Sequence, residues 1–344
     1  MQAVQIAQHG PPSVLKVVDL PRPEPGPGEA LVRVLAVSVN HLDLFVRAGM
    51  PGVKLPLPLI PGCDGTGEIA AIGPGVSGVK VGQKVMIEPG HSSGKSAQDR
   101  AGDDHLSDDY QIRGEHFDGL DREFVAIETR FLVPLPPACD PVATAAVPLV
   151  FLTAWGMLVT RAKLARGETV LVIAGTSGVG SAAIQIAKDA GARVIATAGS
   201  EAKMRLAREL GADEAVDHSK PDWPQAVRKL TAGRGADVVF EHVGPATFEG
   251  SMRSLARNGR LVTCGGTTGP TVTIALPHLF IKQQSILGST MGPRNAFPRI
   301  LERVASGAFR PVVDRVLPLS RIAEAHELLE SRKVLGKIVL TPGS

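Results

Sequence analysis

Apolar and polar residues alternate over "ALVRVLAVSVN" (residues 30 to 40), the two-residue period of a half-buried strand. "GTGEIAAIGPGV" reads as a strand running into a turn, and the first 130 residues as a whole predict short strands divided by Gly/Pro punctuation. "PRPEPGPGE" (21 to 29) is a stiff connection inside this β-rich part, too short to be an independent linker. From about residue 151 the pattern changes. "TVLVIAG", "ARVIATAG", "DVVFEHVG" and "RLVTCGG" predict buried strands, separated by helical segments such as "GSAAIQIAKDAG" and "EAKMRLARELG", which end at Gly191 and Gly211. Strands alternating with helices predict a parallel, doubly wound sheet. The tail beyond about residue 291 carries one more helix, "RIAEAHELLESRK", and a closing strand, "GKIVLTP".

Composition narrows the function classes. Lys+Arg 37 against Asp+Glu 34 leaves a formal charge of +3 on 344 residues, which gives no electrostatic case for nucleic acid or an acidic membrane. Three cysteines far apart, Cys63, Cys139 and Cys264, argue against a disulfide framework and for a reducing, cytoplasmic setting. The start "MQAVQIAQHG" has no basic segment leading into an apolar run, so no signal peptide is expected. "PVATAAVPLVFLTAWGMLVT" (141 to 160) is charge-free, but Pro148, Gly156 and three threonines make it a buried helix pair rather than a membrane span.

The glycine-rich turn carries the first chemistry. "VLVIAGTSGVGSAAIQIA" sets Gly175, Gly178 and Gly180, with Ser177 and Val179 between, after a buried strand and at the start of a helix. Backbone N–H groups and the positive helix end suit a pyrophosphate there, and glycine allows its close approach. Ser177 stands where a dinucleotide fingerprint has its second glycine. The end of the next strand, "VIATAGSEAK", lacks the Asp or Glu that holds an adenosine 2′-hydroxyl. It offers Ser200 and Lys203, which favour a 2′-phosphate and hence NADPH; the plain alternative is a helix cap beside a solvated lysine.

Together "PGCDGTGEIAAIGPGVSGVKVGQKV", "AGTSGVG", "LTAWGML" and "GKIVL" resemble the medium-chain dehydrogenase/reductase family over nearly the full chain. The resemblance implies an α/β protein with a GroES-like β-rich catalytic domain (1–150 and 291–344) and a Rossmann domain with a doubly wound parallel sheet (151–290). It places the active site in the cleft. Zinc-dependent members hold a catalytic metal with Cys, His and Cys plus a nearby Glu. Here those places read Asn40, Cys63, Leu149 and, for the Glu, Asp64, while Leu42 takes the place of the proton-relaying hydroxyl. The family's structural zinc lobe, four cysteines at spacings of three, three and eight, reads Ser93, Ser96, Asp99 and Ser107. No metal is expected at either site, and the 91–107 loop is expected to be exposed and more mobile than its relatives. The open alternative is an oxygen-rich divalent site drawn from Asp99, Asp103, Asp104, His105 or Asp108.

Relatives lacking both zincs resemble NADPH-dependent quinone, enone or enoyl reductases, whose substrates are already polarised. The resemblance therefore implies a zinc-independent NADPH-dependent reductase of activated C=C or quinone substrates. Two alternatives stay open: an alcohol dehydrogenase or carbonyl reductase working on an apolar ketone or aldehyde, and a low-turnover cofactor-binding protein. The candidates for catalysis are Asn40, Asp43 and Cys63, each with a structural reading beside it: a turn residue, a helix-start orienter, a small buried residue. Tyr110, the sole tyrosine, falls in the remodelled lobe. Thr153 resembles the family's nicotinamide-side threonine, and Val243, Gly265 and Ser289 lie at strand ends expected to line that half. His218 falls near the adenosine phosphate; His41 and Lys337 are expected to approach the pyrophosphate. Apolar loops near 45–60, 110–120 and 270–295 imply a small apolar substrate, and since relatives pair edge strands of the nucleotide domain into dimers, a homodimer or homotetramer is expected.

Overall fold

The computed structural model of the protein describes residues 1–50 and 52–343; Pro51, in an expected pocket wall, and Ser344, at the end of the expected catalytic domain, lie outside them. The chain forms two compact units. The first takes Met1–Leu149, Pro293–Gly307 and Pro311–Ser344, and the second Val150–Gly292 with Ala308–Arg310.

The first unit is built on a mixed, seven-stranded sheet. Its central strand, Glu29–Ser38, pairs antiparallel with Asp64–Ile72, with Phe124–Glu128 and with the C-terminal Lys337–Thr341. The alternation foreseen for this strand holds in its middle, where Val32 and Val34 are buried and Arg33 is exposed. Toward Ser38 both faces are covered, and Ala36, Val37, Ser38 and Val39 are all buried. Isoleucine, leucine and valine side chains from both chain segments share one core, including Val32, Ile69, Val125, Ile338 and Leu340. Each such burial stabilises the fold by about 1.5–3 kcal/mol, so the core outweighs any single surface contact. The strand's C-terminal end delivers Asn40 to the start of the His41–Ala48 helix, and the antiparallel pairing of Ser38 with Asp64 sets Cys63 and Asp64 beside it.

The second unit is the predicted doubly wound sheet: six parallel strands in the order Glu214–Asp217, Arg193–Ala198, Thr169–Val172, Ala236–Glu241, Leu255–Thr263, Ser285–Gly288. Val170, Leu171 and Val172 are fully buried, as helices on both faces of a parallel sheet require. Helices Gly178–Asp189 and Glu201–Glu209 end where expected, and Gly191 and Gly211 follow at φ +78° and +109°. Two further helices, Leu276–Ile281 and Phe297–Ala305, went unread in the sequence; a proline in the first turn of each masks the helical period. The apolar 141–160 stretch forms the helices Pro141–Thr144 and Pro148–Trp155, then a π-helical segment, Gly156–Arg161. Among the described residues no helix is long and apolar enough to cross a membrane.

Candidate active site

In the first unit Asn40, Asp43 and Cys63 come together in a buried polar cluster, joined by Ser38, Asp64, Asp121 and Lys337. Asp64 is its centre and is fully buried. Its carboxylate accepts from Ser38 Oγ at 3.0 Å, Asn40 Nδ2 at 2.9 Å, Lys337 Nζ at 3.2 Å and the Leu149 N–H at 2.6 Å. Asn40 spans the cluster. Its Nδ2 also faces the Cys63 sulfur at 3.4 Å and the Ser38 carbonyl at 3.3 Å, and its Oδ1 accepts from the Lys337 ammonium. Its backbone N–H donates to the Asp43 carboxylate at 2.7 Å, so Asp43 caps the helix start and locks Asn40 in place.

The electrostatics follow from three carboxyl groups and a thiol sharing one ammonium. Burial pushes the Asp43 carboxyl up to about 7, against the pull of the Asn40 N–H and of Lys337. Asp121 is pushed well up by burial and then by Asp43; it packs so closely on Gly62 that a Cβ there would lie 2.5 Å from its Oδ1. The Cys63 thiol is likewise pushed well up, first by burial and then by Asp43 and Asp64.

Lys337 corrects the sequence reading: its ammonium is turned inward onto Asn40 and Asp64 and buried with them, so it is engaged there rather than extended toward a pyrophosphate. Asp121 was missed altogether, because its only sequence signal is the neighbouring "DGLDR" turn and its partner Gly62 is far away in the chain. The donor set does not fit a tetrahedral zinc. The thiol is held protonated, the Asn40 oxygen is taken by an ammonium, and Leu149 contributes a backbone N–H that Asp64 already uses. Among the described residues no group of three or more His, Cys, Asp or Glu side chains is placed to hold a metal ion.

The serine-rich lobe is closed by hydrogen bonds. The Asp99 carboxylate accepts from Ser92 Oγ at 2.6 Å, Ser96 Oγ at 2.8 Å and the Ser96 N–H at 2.9 Å. Asp109 does the same for Ser107 Oγ at 2.5 Å and the Ser93 N–H at 3.1 Å. These bonds hold the Asp99 carboxyl down at about 2. Tyr110 is half-buried with its hydroxyl end against Gly90, and desolvation there pushes that hydroxyl up.

In the second unit Ser177 caps the Gly178–Asp189 helix, its hydroxyl accepting from the Gly180 N–H at 3.0 Å. A Cβ on Gly180 would fall 2.4 Å from the Ala174 carbonyl, so the turn demands glycine there. Gly175 is buried beneath the turn, and Gly178 and Val179 are half-buried on its rim. Ser200 caps the Glu201–Glu209 helix, accepting from the Lys203 N–H at 3.3 Å. His218 reaches the same strand end: its Nδ1 lies 3.0 Å from Thr197 Oγ, and its Nε2 would be 3.2 Å from a Cβ on Gly199. Burial, and then the Lys203 charge, hold its pKa down against the pull of Asp217. Ser200, Lys203 and His218 therefore share one corner, and the nearby Asp217 carboxylate is turned onto Ser219.

At the opposite side of the strand ends, Glu241 is fully buried and accepts from the Val243 and Gly244 N–H groups, Thr247 Oγ and Ser251 Oγ. The Val243 N–H is thus used internally, fixing the turn rather than facing outward. His242 Nε2 lies 2.9 Å from the Ile173 carbonyl and 3.3 Å from Ser177 Oγ, tying this turn to the glycine-rich one. Thr153 is buried with its hydroxyl 4.0 Å from the Met291 sulfur, and Ser289 extends its strand by bonding Thr263. Gly265 is exposed just past the end of the Leu255–Thr263 strand, and His41 opens its helix half-buried.

Comparison with known proteins matches residues 26–137 to the alcohol dehydrogenase GroES-like domain and residues 178–306 to the zinc-binding dehydrogenase family. The chain is 33% identical to a quinone oxidoreductase of Pseudomonas aeruginosa over 98% of its own length and 99% of that protein's. A solved NAD-dependent alcohol dehydrogenase superposes with a TM-score of 0.97 at 49% identity, each chain fully covered. A solved crotonyl-CoA carboxylase/reductase superposes with a TM-score of 0.91 at 27% identity over 99% of this chain and 88% of that one.

Proposed function

The chain belongs to the medium-chain dehydrogenase/reductase family of nicotinamide-dependent oxidoreductases, and from that premise we propose a zinc-independent, NADPH-dependent reductase of activated C=C or quinone substrates. The observation that carries the reading is the cluster around Asp64. The positions that would ligate a catalytic zinc are bound to one another and to an ammonium. Without a Lewis acid a simple ketone is poorly activated, whereas an enone or quinone arrives polarised. When bound, NADPH supplies the hydride, and Ser177, Gly178, Val179 and Gly180 would hold its pyrophosphate with Ser200, Lys203 and His218 at its 2′-phosphate. Asp43 fixes Asn40, and the Lys337–Asp64 pair holds the carboxamide oriented in a dry, preorganised setting.

A second reading, a carbonyl reductase or alcohol dehydrogenase using NADH, draws support from the 49% identity to a solved NAD-dependent alcohol dehydrogenase. One experiment separates the two. Chelator-treated protein is offered an enone and its saturated ketone, each with NADPH and with NADH. The proposal expects turnover of the enone, faster with NADPH. Turnover of the ketone alone, or activity that returns only with added zinc, overturns it. We also propose a homodimer or homotetramer. The Ser285–Gly288 strand ends the six-stranded sheet, and Leu276, Phe280 and Ile281 are exposed in the preceding helix. Light scattering of the purified protein tests this assembly.

A further inference from the structure

A second set of charges lies in the nucleotide-type unit, away from its glycine-rich turn. Pro224, Gln225, Arg228, Arg253, His278 and Lys282 line a cavity of about 240 Å³ between the helices Trp223–Leu230, Pro245–Ser254 and Leu276–Ile281. Each helix runs into the start of the strand that follows it, so the C-terminal helix ends that carry Arg228, Arg253 and Lys282 lie at the N-terminal edge of the sheet. The glycine-rich turn lies at the opposite, C-terminal edge, where ligands of such sheets ordinarily bind.

The cations are held in place. Arg228 donates to the carbonyls of Gly233 and, at 3.4 Å, Arg253, and Arg257 donates to the Ile281 carbonyl at 2.7 Å. Among the described residues Arg228, Arg257 and Lys282 make no ion pair, and Arg253 pairs with the exposed Glu249. The Lys282 pKa is lowered by burial, then by Arg228 and Arg257. Cations at helix C-termini ordinarily offset the helix dipole. Three such ends contribute roughly −0.5 each, about −1.5 in all. The three lining cations Arg228, Arg253 and Lys282, less Glu249, leave an excess of about +0.5 over these helix ends, and Arg257, close enough to lower the Lys282 pKa, adds to it.

We propose that this cavity is a binding site for a small phosphate-bearing polyanion of the pyrophosphate class. The anchored Arg228 guanidinium, the Arg253 guanidinium of a second helix and the Lys282 ammonium at the end of a third line it, which is the donor set that recognises phosphate oxygens. The cavity is too small for a whole dinucleotide, which sets it apart from the cofactor site.

The test is calorimetric titration of inorganic pyrophosphate into the wild-type protein and three variants, at low and at physiological salt. With the glycine-rich turn filled by saturating NADPH or NADH, saturable one-to-one binding is expected in the wild type, weakening with salt. Arg228→Gln/Lys282→Gln should bind at least about 30-fold more weakly, from two lost charge-assisted contacts. Lys282→Gln alone, which breaks no hydrogen bond within the protein, should lose roughly tenfold. Lys16→Gln, at an exposed position of the first unit, should bind as the wild type does. Absence of saturable binding to the wild type at roughly millimolar pyrophosphate, or wild-type binding by both Lys282 variants, overturns the proposal.

Discussion

Replacing Lys337 by methionine tests whether the Asp64 cluster is held by its single cation. The ammonium lies 3.2 Å from Asp64 Oδ2, with the two side chains 5% and 0% exposed. At an effective dielectric of about 20 that separation corresponds to roughly 5 kcal/mol of attraction. Removing one partner of a buried pair costs about 3–5 kcal/mol, because the carboxylate left behind keeps its desolvation penalty. The expected fall in the unfolding midpoint is roughly 6–20 °C for a unit of this size. Asp64→Asn combined with Lys337→Met removes both charges and should recover most of that loss, since a buried pair exchanged for neutral groups is often close to neutral in stability. Thermal unfolding by circular dichroism across the wild type, both single variants and the double variant closes the cycle. A double variant no more stable than Lys337→Met alone would refute the reasoning: the loss would then come from packing of the lysine stem.

Asp43, pushed up to about 7 from an ordinary 3.8, stays protonated in the folded protein where the unfolded chain has ionised. Its contribution is therefore present below about pH 4 and lost as the pH rises toward 7, a change of up to about 4 kcal/mol. Denaturant unfolding near pH 5 and pH 8 should show this slope in the wild type and a flatter one in Asp43→Asn. Ala174 holds φ +48° in the glycine-rich turn, so Ala174→Gly should raise stability by about 0.5–1 kcal/mol, measured as a shift in denaturant midpoint. Asp99→Ala removes the acceptor of three hydrogen bonds in the serine lobe. Amide exchange over residues 92–99 should quicken by about tenfold while the global midpoint hardly moves.

Periodicity and turn chemistry made the nucleotide unit legible in the sequence. The Val170–Val172 run, the small residues of "AGTSGVGS" and the glycines at 191 and 211 each impose their element through local sterics, whatever lies elsewhere in the chain. The replaced ligands at Asn40, Cys63 and Leu149 were equally readable, because an ill-suited ligand type is a property of the residue itself. What those residues do instead was decided by the tertiary structure. Lys337 reaches Asn40 across 297 positions of sequence and Leu149 reaches Asp64 across 85, contacts set by the pairing of the last strand with the central one and by the route of the chain. The serine lobe is a similar case. Spacing shows that thiolates are absent, but only the folded chain brings Asp99 and Asp109 within hydrogen-bonding distance of the serines around them. Local sterics act between neighbours in sequence, whereas burial and charge act between neighbours in space, and the chemistry of this cluster is made of burial and charge.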